Sequence, residues 1–369
     1  APDGAEWMRL LAVGGAAPRP TLTAPGPSEP VRIRYTSGTA GTPKGAVLPR
    51  RCYDASVTSV SDVVGPLGGD DVVVHVAPMT HASGALLLPH AAVGARAVWL
   101  RHFDARELIA VVERELATAV FLVPTMLVRL LDAVEDPRRL ASLRTVVYGG
   151  ASMPVDRLQR GLELLGPIFV QIYGLTESTW PVCALRREDH LRREDEVESS
   201  WLRRLDSCGR ATTVGSIRIV APDGTDAPPG QVGELWVRGR NTMSGYWRLP
   251  NHPVVEDSKG LDGEGWMHTG DIGFRDEDGF ITIVDRMKEL ILVGGFNVYP
   301  SQVEEVIKAV PGVADAAVVG TSVDGGEQVV AAVVAEPGAT LDPEAIRAAC
   351  RQHLAAYKAP KAVYLAKDF

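Results

Sequence analysis

Cysteine is scarce in this 369-residue sequence: Cys52, Cys183, Cys208 and Cys350 stand far apart, with no Cys-x-x-Cys spacing. That excludes a disulfide framework and a cysteine zinc site, and a reducing, cytoplasmic setting is expected. An excess of positive charge is also missing, since 38 Lys and Arg face 46 Asp and Glu for a formal net charge of −8. The basic residues show no aromatic interleaving, so no nucleic-acid partner is expected. There is no long clean apolar run. The most apolar stretch, residues 85 to 100, is broken by Pro89, His90 and Arg96 and falls short of the ~20 residues that cross a bilayer. The first residues include Asp3, Glu6 and Arg9, not the basic-then-apolar order of a signal peptide. What is present, 46% hydrophobic and 23% charged residues, builds a globular core. A single core stops growing near ~250–300 residues, so a large domain and a smaller one are expected.

Five prolines between Pro18 and Pro30 mark an extended connector that feeds a strand over Val31 to Tyr35. From Cys52 to Leu165 the hydrophobic pattern alternates. Helices are predicted near Cys52 to Val64, Ala105 to Leu116 and Met126 to Val134, and strands at Val72 to Val76, Ala97 to Leu100, Ala119 to Val123 and Thr145 to Tyr148. That alternation predicts an α/β fold with a parallel sheet. The stretch Arg186 to Arg204, dense in both charge signs, reads as a solvated helix or excursion at the surface rather than a site. Beyond Cys208, short strands and turn signals such as Pro222-Asp223-Gly224 predict a mostly antiparallel β subdomain. After Arg286 a smaller α+β unit is expected, with helices at Ser301 to Ala309 and Pro343 to Ala355. Ser301 and Glu304 have the spacing of a capping box.

Chemistry is concentrated first in Thr36-Ser37-Gly38-Thr39-Ala40-Gly41-Thr42-Pro43-Lys44-Gly45, which places three glycines, four hydroxyls and a lysine directly after a strand. Such a loop offers backbone N–H groups and hydroxyls to phosphate oxygens. A Walker loop needs Gly-Lys followed by Ser or Thr; here Pro43 precedes Lys44 and Gly45 follows it, so that reading fails.

The segment resembles the signature loop of the AMP-forming adenylating enzymes, the superfamily of acyl-CoA synthetases, peptide-synthetase adenylation domains and firefly luciferase. Further segments match in order: Tyr148-Gly149-Gly150-Ala151, Gln171-Ile172-Tyr173-Gly174-Leu175-Thr176-Glu177, Gly233 to Gly239, Trp266-Met267-His268-Thr269-Gly270-Asp271, Asp285-Arg286-Met287-Lys288, and Gly294-Gly295-Phe296-Asn297. The resemblance covers about Val31 to Asp368. It implies a large adenylate-forming domain over residues 1–286, with parallel α/β sheets and a β subdomain, and a smaller mobile α+β domain over 289–369. ATP, Mg²⁺ and CoA are implied as reactants and cofactors. By residue, it implies Glu177 for the metal, Thr36, Lys44 and Thr176 for the phosphates, and Ser37, Gly38, Thr39, Gly41 and Thr42 in the phosphate loop. Gly149, Gly150, Ala151, Gln171, Tyr173, Gly174 and Ile283 would face the nucleotide, with Tyr173 stacked on adenine. Asp271 would take the ribose diol, Arg286 the ribose and phosphates, Lys288 the hinge, and Gly294, Gly295 and Phe296 the CoA channel.

Pro78-Met79-Thr80-His81-Ala82 matches the motif beside the acyl pocket, with His81 as its gate. Amino-acid-activating members place an aspartate next to this position; Ala82 stands here, and a buried ammonium without a partner is costly. A fatty or aryl acid is therefore expected, with Phe121, Val123, Pro124 and Thr125 as candidates to line its pocket. The implied reaction is acid to acyl adenylate, then thioester with CoA. Loading of a carrier protein, or a non-catalytic adenylate-binding remnant, are the alternatives. Two departures support the remnant: Ala40 replaces a second threonine, and the family's essential lysine in a C-terminal Gly-Lys pair matches no residue before Phe369, so that role is assigned to none.

Overall fold

The computed structural model describes residues 24–36, 44–247, 261–323 and 326–368. Strands β1 (Pro30–Thr36) and β2 (Lys44–Pro49) form an antiparallel hairpin in which Thr36 faces Lys44. Behind it lies a seven-stranded sheet of β3 (Val72–His75), β4 (Arg96–Trp99), β5 (Ala119–Leu122), β6 (Thr145–Gly149), β7 (Phe169–Tyr173), β8 (Cys183–Leu185) and β9 (Arg210–Ala211), in spatial order 4-3-5-6-7-8-9. The first five are parallel. The central strands β3, β5 and β6, with sequences such as Val-Val-Val-His and Ala-Val-Phe-Leu, are buried along their whole length, the continuous apolar texture of a sheet covered on both faces, while the edge strand β4 is half-exposed. The predicted parallel α/β sheet is thus present, but β8 and β9 join it antiparallel, an edge that alternation did not reveal.

Helices α1 (Arg50–Val64), α2 (Leu87–Ala92), α3 (Ala105–Glu115), α4 (Pro124–Ala133), α5 (Val155–Leu165) and α6 (Glu198–Asp206) accompany this sheet. Helix α3 shows how local chemistry sets the ends. Asp104 accepts from the Glu107 N–H at 2.8 Å at its start, and Leu116 takes a left-handed conformation to stop it. Next come β10 (Gly215–Val220), β11 (Gly233–Gly239), β12 (Met267–Arg275) and β13 (Ile281–Arg286), an antiparallel sheet in chain order, as the turn signals predict.

The last part has its own core, built from the hairpin β14 (Ile291–Val293) and β15 (Phe296–Val298), helices α7 (Pro300–Lys308) and α8 (Pro343–His353), and the sheet β16 (Val313–Val323), β17 (Gly326–Ala335) and β18 (Ala362–Ala366). The expected capping box at Ser301 is not made. Tyr299 is the N-cap residue and Pro300 opens the helix. Ser301 instead donates from Oγ to the Val284 carbonyl at 2.6 Å and from its N–H to Asp285 Oδ2 at 3.0 Å, while Glu304 accepts from the Val318 N–H. These bonds fasten α7 to β13.

The charged stretch is mostly exposed, as its composition predicts, but it is anchored by a few buried groups. Asp189, His190 and Arg204 are buried. Arg204 pairs with Glu196, and donates to the Asp189 and Leu191 carbonyls at 2.8 Å each. The guanidiniums of Arg193, Arg204 and Arg210 surround the Phe280 ring at 6.0, 5.9 and 4.7 Å. All four cysteines are buried with free thiols. Cys52 packs under the β1–β2 hairpin, Cys183 and Cys208 pack against the antiparallel sheet, and Cys350 lies in the last core.

Two buried histidines make stability depend on pH. Burial pushes both His75 and His190 down to about 4, with neighbouring His90 adding to the shift at His75. The unfolded chain takes up protons at both as pH falls below about 6.5, while the folded one does not until about 4, so unfolding becomes easier across that window. Between pH 7 and pH 5 the loss is expected to be about 3–4 kcal/mol, read as a fall in the urea midpoint. His75→Asn with His190→Gln is expected to flatten the profile.

Candidate active site

A single cleft of about 1390 Å³ lies between the β1–β2 hairpin, the C-terminal ends of β6 and β7, and the strands β12 and β13. Parallel sheets present their loops there, and ligands bind outside the carboxyl ends of their strands. Thr36 and Lys44 enter from the hairpin, where the Thr36 hydroxyl points at the Lys44 carbonyl at 3.5 Å. Gln171, Tyr173 and Gly174 end β7, and Thr176 and Glu177 follow in a short 3₁₀ turn. Asp271 comes from β12, Ile283 and Arg286 from β13, and Lys288 from the turn after it. Gly150, Ala151 and His81 complete the predicted set. Residues separated by more than two hundred positions therefore face one space. Ser37, Gly38, Thr39, Gly41 and Thr42 lie outside the described residues.

Asp271 is 3% exposed. Register pairs it with Arg286 across β12 and β13, whose Nε lies 3.1 Å from Oδ1, and the Tyr173 hydroxyl donates to Oδ2 at 2.5 Å. Burial pushes its carboxyl up, against the pull of the Tyr173 hydroxyl and the Arg286 charge. The strand that carries it is locked by the Glu234 carboxylate, which accepts from the Gly270 N–H at 3.0 Å. Tyr173 thus spends its hydroxyl on Asp271.

Glu177 accepts from the Tyr246 hydroxyl at 2.9 Å, and among the described residues it has no ion-pair partner. Tyr246, which no motif singled out, also carries the Lys44 ammonium over its ring at 5.4 Å. It reaches the site because residue 46 in β2 bridges to it and because the Met243 N–H donates to the Glu177 carbonyl at 2.7 Å. Only the tertiary pairing brings it there. Among the described residues no cluster of three or more His, Cys, Asp or Glu forms a metal cage. A Mg²⁺ ion bound with a nucleotide takes one or two carboxylates and the phosphates, so Glu177 fits that group.

Several expected residues lie elsewhere. Gly149 does not line the cleft; a Cβ there would meet the Ile172 carbonyl oxygen at 2.1 Å, so it is glycine to let β6 and β7 approach. Phe121 is buried in the core, and neither it nor Val123, Pro124 or Thr125 lines the cleft. Gly294 and Gly295, at φ 58° and 83°, form the two-residue turn of the β14–β15 hairpin, a geometry that demands positive φ at both positions. Phe296 stacks on Tyr357 at 4.9 Å, and all three lie off the cleft lining.

Residues 3–247 match the family model described as AMP-binding enzyme, and residues 302–369 match the AMP-binding enzyme C-terminal domain. Among curated proteins, the medium/long-chain-fatty-acid–CoA ligase FadD8 of Mycobacterium tuberculosis is 36% identical over 356 residues, which is 94% of this chain and 60% of that one. Among solved structures, the amide bond synthetase McbA from Marinactinospora thermotolerans superposes with a TM-score of 0.79 at 36% identity, over 91% of this chain and 65% of McbA. ATP-bound MatB from Rhodopseudomonas palustris gives 0.83 at 30%, over 97% and 69%. The chain therefore spans about three fifths to two thirds of the length of these relatives. With both family models matched in order over most of its length, the chain belongs to the AMP-binding enzymes.

Proposed function

We propose that the chain carries the adenylating site of an AMP-forming acid–thiol ligase acting in the cytoplasm. A carboxylate oxygen of a fatty or aryl acid attacks the α-phosphorus of ATP, the bond to the bridging oxygen breaks, and pyrophosphate leaves. The thiol of CoA then attacks the acyl carbon and AMP leaves. What supports this reading is the meeting of Thr36, Lys44, Glu177 and Asp271 on one cleft.

In this reading Asp271 accepts the ribose hydroxyls and Arg286 holds the ribose side of the phosphates, a role suited to a fixed, planar cation. Lys44, Thr36 and Thr176 hold phosphate oxygens. Bound Mg²⁺, held by Glu177, would offset charge on the departing pyrophosphate. His81 stands at the acyl end. Residues 1–286 form the large domain and 289–369 the small one, which turns about Lys288 to bring Gly294, Gly295 and Phe296 toward the thiol.

Saturable AMP binding by calorimetry is the first test, and its absence overturns the reading. Exchange of labelled pyrophosphate into ATP is the second. Glu177→Gln is expected to lower that exchange about a hundredfold, or ~3 kcal/mol, with AMP affinity largely kept. Exchange without a thioester on free CoA would shift the acceptor to a carrier protein, and AMP binding without exchange would mark a remnant.

A further inference from the structure

The cleft continues past His81. Arg32, Arg34, His81 and Trp180 also line a second cavity of about 40 Å³, walled on its far side by Tyr53 from α1 and by Leu88 from α2. A space of that size takes two or three waters or one carboxylate group, far less than an alkyl tail. Its walls are fixed. The Trp180 ring lies against Gly174, where a Cβ would meet Trp180 Cδ1 at 2.1 Å.

Two guanidiniums two residues apart on β1 face this space, as strand alternation requires. Arg34 donates to the Thr80 carbonyl at 2.6 Å and stacks over Trp180 at 4.9 Å. Arg32 donates to the Tyr53 hydroxyl at 3.3 Å. Among the described residues neither has a carboxylate partner within ion-pair distance. Burial and the neighbouring Arg32 charge pull the Arg34 guanidinium below its ordinary value, only partly offset by Tyr53 and Glu177, so an anion placed between the two arginines would relieve the remaining cost. A methyl-ended tail would instead strip water from two cations and return nothing.

We infer that the acid activated here carries a second carboxylate at the end remote from the reacting one, and that Arg34, backed by Arg32, holds it in the side cavity. This rests on the adenylating reading of the cleft. Charge-assisted bonds to a guanidinium discriminate strongly against an apolar isostere.

The test is calorimetry with non-hydrolysable acyl sulfamoyladenosines in pairs of equal length: glutaryl against pentanoyl, adipoyl against hexanoyl, suberoyl against octanoyl. For at least one pair the carboxyl-ended member is expected to bind about tenfold tighter or more. In Arg34→Met that ratio is expected to fall toward one, with AMP affinity within about twofold of the unchanged chain. Arg34→Lys, which keeps the charge, is expected to retain part of the preference and serves if the methionine variant does not fold. Methyl-ended analogues binding as tightly throughout, with AMP bound normally, would overturn the inference and leave the adenylate reading standing. A loss of ATP and pyrophosphate affinity in Arg34→Met with no change in the ratio would move the arginine to the phosphates and overturn it too. If neither AMP nor any analogue binds, the adenylate reading fails and the inference falls with it.

Discussion

Asp271→Asn is expected to weaken AMP binding about a hundredfold in a calorimetric titration. The side chain keeps its shape but loses the charge that lets one group accept two ribose hydroxyls. Bonds of hydroxyls to a carboxylate contribute about 1.5–3 kcal/mol each, against about half that to a neutral amide, and ~3 kcal/mol is a hundredfold. The substitution also turns the ion pair with Arg286 Nε at 3.1 Å into a neutral-acceptor hydrogen bond, weakening the hold on that cation at the cleft wall. Tyr173→Phe removes the 2.5 Å bond to Oδ2 but leaves the charge, and is expected to cost only a few-fold. Equal affinities in the asparagine variant and the parent would place the ribose elsewhere.

Arg204→Ala is expected to lower folding stability by about 3–5 kcal/mol, the ordinary consequence of removing one member of a buried ion pair. The Arg204 side chain is 3% exposed and that of Glu196 10%, so the abandoned carboxylate has little water to turn to. Two further acceptors, the carbonyls of Asp189 and Leu191, lose their donor as well. Arg204→Met with Glu196→Leu is expected to recover most of the loss, because replacing both charges with apolar groups removes the desolvation cost. Urea midpoints of Arg204→Met, Glu196→Leu and the double variant close the thermodynamic cycle. Additive losses would show that the pair is not coupled.

Which residues share the candidate cleft is in large part legible in the sequence. The residues that face the cleft sit in segments whose chemistry is local: Thr36 and Lys44 flank a glycine-rich loop, and Glu177 and Asp271 each come shortly after a glycine in a short polar motif. The parallel sheet was equally readable, because strands buried on both faces have unbroken apolar sequences. What escaped was decided by partners distant in the chain. Tyr246 acquires its role from a bridge to β2, and Gly149 loses its expected role to a neighbour 2.1 Å from where its Cβ would be. The buried members of the Arg186 to Arg204 stretch escaped for the same reason, although most of it is exposed as expected. Its charges are compensated within the segment and around Phe280, so a composition that signals water encloses a buried pair. Ser301 had the spacing of a cap but was claimed by β13.

The four thiols supply a gauge of how this chain comes apart. Each sits inside packed structure; burial pushes Cys52 up to about 11 and raises Cys350, and the hydrogen bond with Cys183 together with burial raises Cys208, so alkylating reagents must wait for an opening. Because Cys350 reports from one core and Cys52, Cys183 and Cys208 from others, the order in which a mass-tagged maleimide finds them ranks the breathing of each region without any added label.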